Sequence, residues 1–134
     1  MRVRSARKSG NVTYMIGTLR SVVVDCRDPR ALADFYAGLL GGVPVADDDT
    51  WVVLTEPSGR RLAFQLSPQH EPPLFPDPRG SQQFHLDVAV DEIDDAERQV
   101  LALGATRVAD AAGEMFRVYR DPAGHTFCLV WGVS

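Results

Sequence analysis

SVVVDCRDPRALADFYAGLLG, residues 21–41, and HLDVAVDEIDDAERQVLALG, residues 85–104, are two versions of one pattern. Each opens with a run of strand character, passes a polar break, continues with apolar residues at helical spacing and stops at a glycine. Ser21 corresponds to His85, Asp28 to Glu92, and Leu40-Gly41 to Leu103-Gly104, at separations of 63 to 64 residues. Downstream, Trp51 to Gly59 corresponds to Phe116 to Gly124 at a separation of 65, and Phe64-Gln65 to Phe127-Cys128. Within 134 residues, such a repeat points to a duplicated unit.

Each copy reads as strand, helix and three further strands. The first strand is expected at 18–26 and its helix at 29–40, where Asp28 can cap the free amides and Pro29 fits the first turn. Leu32, Phe35, Tyr36, Leu39 and Leu40 form the apolar face of that helix. The second strand is expected at 84–90 and its helix at 95–103, with Asp94 and Glu97 at the spacing of a capping box. Ala96, Val100 and Leu103 make its apolar face. Glu56-Pro57-Ser58-Gly59 and Asp121-Pro122-Ala123-Gly124 read as equivalent turns. The expected fold class is α+β, with two βαβββ modules, 18–66 and 84–131, in one domain over 18–134. Between them runs SPQHEPPLFPDPRGSQQ, residues 67–83, with five prolines. It reads either as a stiff linker or as a pocket cover or exchanged arm, anchored by Leu74 and Phe75.

Composition sets the outer bounds. The chain is 45% apolar and 24% charged, ordinary for a globular protein, with a formal charge of -4. Arg2, Arg4, Arg7 and Lys8 precede any acidic residue, so residues 1–17 are expected to be a flexible basic tail. Beyond it, ten basic side chains face eighteen acidic ones. This acidic body, without a helix-turn-helix signature or zinc-finger spacing, gives no support for a nucleic-acid partner. No apolar run is long enough to cross a bilayer, and no apolar segment of signal-peptide type follows the basic start. Two cysteines, Cys26 and Cys128, do not make a disulfide framework, and a reduced, cytoplasmic protein is expected.

Strand alternation then sorts the polar residues. Ser21, Val23 and Asp25 share a face opposite Val22, Val24 and Cys26. His85, Asp87 and Ala89 share a face opposite Leu86, Val88 and Val90. Gln65 alternates with Phe64 and Leu66, and Cys128 with Phe127 and Leu129. If the apolar faces lie under the helices, Ser21, Asp25, Gln65, His85, Asp87 and Cys128 gather on the concave side. Polar groups there require an internal network, a metal or a polar ligand. Asp87, two residues from His85, can orient the imidazole or serve as a catalytic acid or base. Trp51 and Tyr119 are expected to line the pocket with these groups, whereas His70 and His125 are read as exposed turn or linker residues.

DPRALADFYAGLLG (28–41), LAFQ (62–65), HLDVAVDEIDDAE (85–97) and YRDPAGHTFCLV (119–130) resemble the vicinal oxygen chelate superfamily, which includes glyoxalase I, extradiol dioxygenases and bleomycin-resistance proteins. The closest resemblance is to the glyoxalase-like proteins common in actinobacteria. The resemblance implies modules curled around a cavity, a homodimer, and a divalent metal held in catalytic members by His, Gln and Glu. The implied ligand places here are Ser21, Gln65, His85 and Cys128, of which Gln65 and His85 keep typical residues.

The reading that follows is a glyoxalase-like protein of unassigned reaction, binding a small organic molecule without a complete metal site. Its ligand contacts would be Ser21, Asp25, Trp51, Gln65, His85, Asp87, Tyr119 and Cys128. One alternative is an enzyme using zinc, iron, manganese or nickel at His85, Gln65 and Cys128 as a lyase, isomerase or dioxygenase. Another is a structural or accessory homodimer. Enzymatic activity stays open among them.

Overall fold

The repeat folds twice. In the computed structural model, which describes residues 6–8, 11–13, 15–79 and 84–132, the first module comprises β3 (Val22–Cys26), α1 (Pro29–Leu40), β4 (Pro44–Asp48), β5 (Trp51–Thr55) and β6 (Arg61–Leu66). The second comprises β7 (Leu86–Ala89), α2 (Ile93–Leu103), β8 (Thr106–Ala112), β9 (Phe116–Arg120) and β10 (Thr126–Val130). Upstream, β1 (Ala6–Lys8) and β2 (Asn11–Thr13) pair antiparallel within the segment expected to be a basic tail. The rest of that expectation below residue 15, the linker at 80–83 and the last two residues lie outside the described residues.

Each module makes one curled, unclosed four-stranded sheet, ordered β3-β6-β5-β4 and β7-β10-β9-β8. In both, the first strand runs parallel to the last, and the other pairs are antiparallel. A helix is what carries the chain from the first strand into its own sheet, as parallel pairing requires a long crossover.

The first helix matches its sequence signals. Asp28 Oδ1 accepts from the Ala31 amide at 3.1 Å, Pro29 occupies the first turn, and Leu32, Ala33, Phe35 and Tyr36 are buried. The second begins earlier than expected, at Ile93, with Glu92 as an N-cap that makes no side-chain cap bond. Asp94 and Glu97 are not a capping box. They reach sideways to β9: Arg117 contacts Asp94 at 3.1 Å, and Tyr119 donates to Glu97 at 2.8 Å. Gly104 ends α2 at φ 115°, a left-handed conformation that a side chain would strain.

One core joins the modules. Tyr36 stacks on Phe64 of β6 at 5.6 Å, while Phe35 meets Phe127 of β10 edge-on at 5.8 Å. Phe127 in turn stacks on Tyr119 at 5.5 Å. Helix α1 therefore packs its aromatic face against the last strands of both sheets, leaving the opposite sheet faces outside this core. Among the described residues, no helix is long and apolar enough to cross a membrane.

Candidate functional site

Alternation in β10 separates two environments. Phe127 and Leu129 enter the main core, whereas Cys128 lies in a second cluster with Val108 and Val118. Its strand partner is Asp87. His85, just ahead of β7, contacts Asp87 through Nε2 and Oδ1 at 3.2 Å, and both side chains are exposed. One donor atom from each of His85, Asp87 and Cys128 falls within 4.8 Å of the others. The second module thus brings an imidazole, a carboxylate and a thiol to one point.

The first module makes a different pair. Asp25 of β3 lies opposite Gln65 of β6, and Gln65 Nε2 donates to Asp25 Oδ1 at 3.0 Å. Trp51, half-buried, is the β5 partner of Gln65. Ser21 is half-buried immediately before β3, as His85 is before β7. The expected gathering is therefore distributed as Asp25–Gln65 on one sheet and His85–Asp87–Cys128 on the other.

Register corrects the sequence matching of Gln65 with Cys128. Val23 pairs with Ala63, whereas Asp87, the counterpart of Val23, pairs with Cys128. Ala63 is the structural counterpart of Cys128, and Gln65 lies two residues farther along the strand. The places symmetric to His85 and Cys128 accordingly hold Ser21 and Ala63, a hydroxyl and a methyl. Tyr119 also departs from expectation: its fully buried ring belongs to the main core, and its hydroxyl is bonded to Glu97. It does not line the face that carries Cys128, because adjacent residues in β9 point to opposite faces and Val118 takes that one.

The thiol is not an activated nucleophile. Burial, then the nearby Asp87 carboxylate, pushes the Cys128 pKa up to about 11. Cys26, in the main core, is pushed up to about 11 chiefly by burial. At pH 7.5, alkylation of Cys128 by iodoacetamide is expected to run about a hundredfold slower than that of an unperturbed thiol. In an unfolded chain both thiols ionise near 9.0, so their contribution to stability is complete below that pH and lost as pH rises through about 11. A urea midpoint that falls between pH 9 and 11 would check the sign, with a smaller fall in the double Cys→Ser variant, where the buried Tyr36 and Tyr119 hydroxyls, also raised, still act.

The structure also reveals contacts that the sequence reading missed. His70 and His125 are not simply exposed: their rings lie 4.9 Å apart, and His125 Nε2 contacts the Asp25 carbonyl at 2.7 Å. They flank the seam between modules, where a cavity of about 510 Å³ is lined by Cys26, Asp28, His70, Arg120, Asp121 and Gly124 among others. None of the expected site residues lines it.

Comparison with known proteins agrees with the fold. A crystal structure of a glyoxalase/bleomycin resistance protein/dioxygenase family enzyme from Burkholderia phytofirmans PsJN is 18% identical, with a TM-score of 0.63, covering 85% of this chain and 98% of that one. The genomically encoded fosfomycin resistance protein FosX from Listeria monocytogenes is 13% identical, with a TM-score of 0.66, covering 89% and 96%. Protein ATC0852 from Agrobacterium tumefaciens is 20% identical, with a TM-score of 0.65, covering 89% and 100%. These are likenesses of fold. The search of curated proteins gives no match to this chain. The glyoxalase-like domain profile matches residues 21–130, the whole duplicated unit from Ser21 to Val130, and the chain belongs to that family.

Proposed function

We propose that this protein binds a small organic molecule against the sheet faces turned away from the main core, as a homodimer. The observation that carries this reading is the pairing of polar groups with apolar surface on those faces. Asp25–Gln65 and His85–Asp87 are exposed there, while Val23 and Val45 leave exposed apolar surface beside Trp51. Apolar walls with a few placed polar groups are the usual build of a small-molecule site, and uncovered apolar sheet surface favours a second copy. Ser21, Asp25, Trp51, Gln65, His85, Asp87 and Cys128 form the proposed contact set, with Asp87 positioned to hold or move a proton beside His85. A reduced, cytoplasmic setting belongs to the same reading, since Cys26 and Cys128 are both free and buried.

A thermal-shift screen against aromatic compounds, with sedimentation on the same samples, tests it. A ligand at a hundred times its Kd is expected to raise the Tm by about 10 °C. Combining His85→Ala with Gln65→Ala should remove most of that rise, and the untreated chain should sediment as a dimer. A monomer that responds to no compound would overturn the proposal.

A second reading rests on the three donors of His85, Asp87 and Cys128. Nitrogen, oxygen and sulfur at that spacing suit zinc with one coordination place left open, though they do not form the symmetric four-ligand set expected at Ser21, Gln65, His85 and Cys128. A metal held there would supply Lewis-acid polarisation of a substrate oxygen, as a lyase, isomerase or dioxygenase uses it. Stoichiometric zinc, iron, manganese or nickel in untagged protein, lost in His85→Ala, would favour this reading. Failure of all four added metals to bind would remove it.

A further inference from the structure

Phe75 is where the described part of the linker packs on the second sheet. Its ring packs half-buried on Val108, Val118 and Cys128, the small cluster outside the main core, while its neighbour Leu74 is 76% exposed. Arg120 of β9 donates through Nη2 to the Phe75 carbonyl, fastening the segment at that point. Cys128 also belongs to the group with His85 and Asp87, so the Phe75 ring abuts the polar cluster of the proposed site.

A second feature adjoins it. Thr126 is only 5% exposed, shares the Cys128 face by strand alternation, and pairs with Arg120 across the ladder. Its Oγ1 is buried with no hydrogen-bond partner among the described residues. A buried hydroxyl left unpaired is costly, and a hydrocarbon ring such as that of Phe75 cannot relieve it.

We propose that Phe75 is a displaceable plug, holding a subsite that takes an aromatic ring bearing a hydrogen-bonding substituent, with Thr126 as that substituent's partner. This rests on the small-molecule reading above and adds its ligand class and its regulation. Binding would exchange one ring for another over Val108, Val118 and Cys128, and release residues 74–79 from the sheet, while Arg27 and Ala123 still hold His70. The ring surface buried by Phe75 is recovered by the incoming ring, so the gain comes from satisfying Thr126. The bond from Arg120 opposes the exchange.

The test uses p-cresol, a ring with one hydroxyl, titrated by calorimetry into the full chain and its Arg120→Gln, Thr126→Val and Leu74→Ala variants. Arg120→Gln loosens the plug without carving a cavity and is expected to bind p-cresol about fivefold more tightly, within the worth of one hydrogen bond to a charged group. Thr126→Val should bind several-fold more weakly, and Leu74→Ala like the unaltered chain. Saturating p-cresol should also speed amide hydrogen exchange in 74–79 of the unaltered protein, a readout that does not depend on any variant folding. Equal affinities in the unaltered chain and Arg120→Gln, or binding that leaves that exchange unchanged, would overturn the plug. Absence of p-cresol binding in every form overturns it as well. The wider proposal falls only if the thermal-shift screen is also negative.

Discussion

Replacing Asp121 with alanine is expected to cost about 3 kcal/mol of folding stability, read as a lower urea midpoint at unchanged slope. The carboxylate is 4% exposed and fully engaged. Oδ2 accepts from the Tyr36 hydroxyl at 2.6 Å, while Oδ1 accepts from the Ala123 and His125 amides at 2.8 and 3.0 Å. The turn therefore draws its shape from Asp121, and Asp121 ties that turn to a helix 85 residues earlier. Alanine leaves three donors short of their acceptor inside the protein, where each unmade bond carries its desolvation cost. Tyr36→Phe removes one donor and keeps the turn, so a smaller loss of about 1–2 kcal/mol is expected. If Asp121→Ala proved no worse than Tyr36→Phe, the turn would be holding itself without the carboxylate.

This contact marks the boundary of what the sequence discloses. Helix α1 is legible because its signals are local: Asp28, Pro29 and the apolar spacing to Tyr36 fix the start, register and buried face. The duplication is legible for the same reason, since like segments fold into like modules. The partner of Asp121 is not legible, because a turn aspartate reads as a surface residue until Tyr36 is brought to it from the other module. The same holds for His70 and His125, which meet only when the linker folds back.

The candidate site was legible by face and not by register. Alternation has a period of two, so a slip of two residues leaves every side chain on its original face. The resemblance of Phe64-Gln65 to Phe127-Cys128 hides such a slip, and only the pairing of Val23 with Ala63 exposes it. Tyr119 was misplaced for a complementary reason. An aromatic residue in a strand can serve a pocket or a core equally well, and the decision falls to Phe127 and Glu97, neither adjacent in sequence.

Truncating Phe127 to alanine is expected to cost about 4 kcal/mol, within the usual range for removing a buried aromatic ring. The ring meets Phe35 at 5.8 Å, Tyr36 at 6.5 Å and Tyr119 at 5.5 Å, so the vacated volume borders α1 as well as its own sheet. Phe64 does the same from the core face of the first module's last strand, stacking on Tyr36 at 5.6 Å. Two duplicated modules with private cores would respond independently, and Phe64→Ala and Phe127→Ala would add. Here both rings pack on one tyrosine, whose hydroxyl is anchored on Asp121, so loss of either ring loosens the support of the other. Their combined cost should depart from the sum by about 0.5 kcal/mol or more, as expected for residues sharing a packing partner. Unfolding should remain a single transition in each single variant, followed in parallel by fluorescence and far-UV circular dichroism. Strict additivity with two separated transitions would mean that α1 serves only its own module, and that the repeat is two domains in contact and not one core built from two halves.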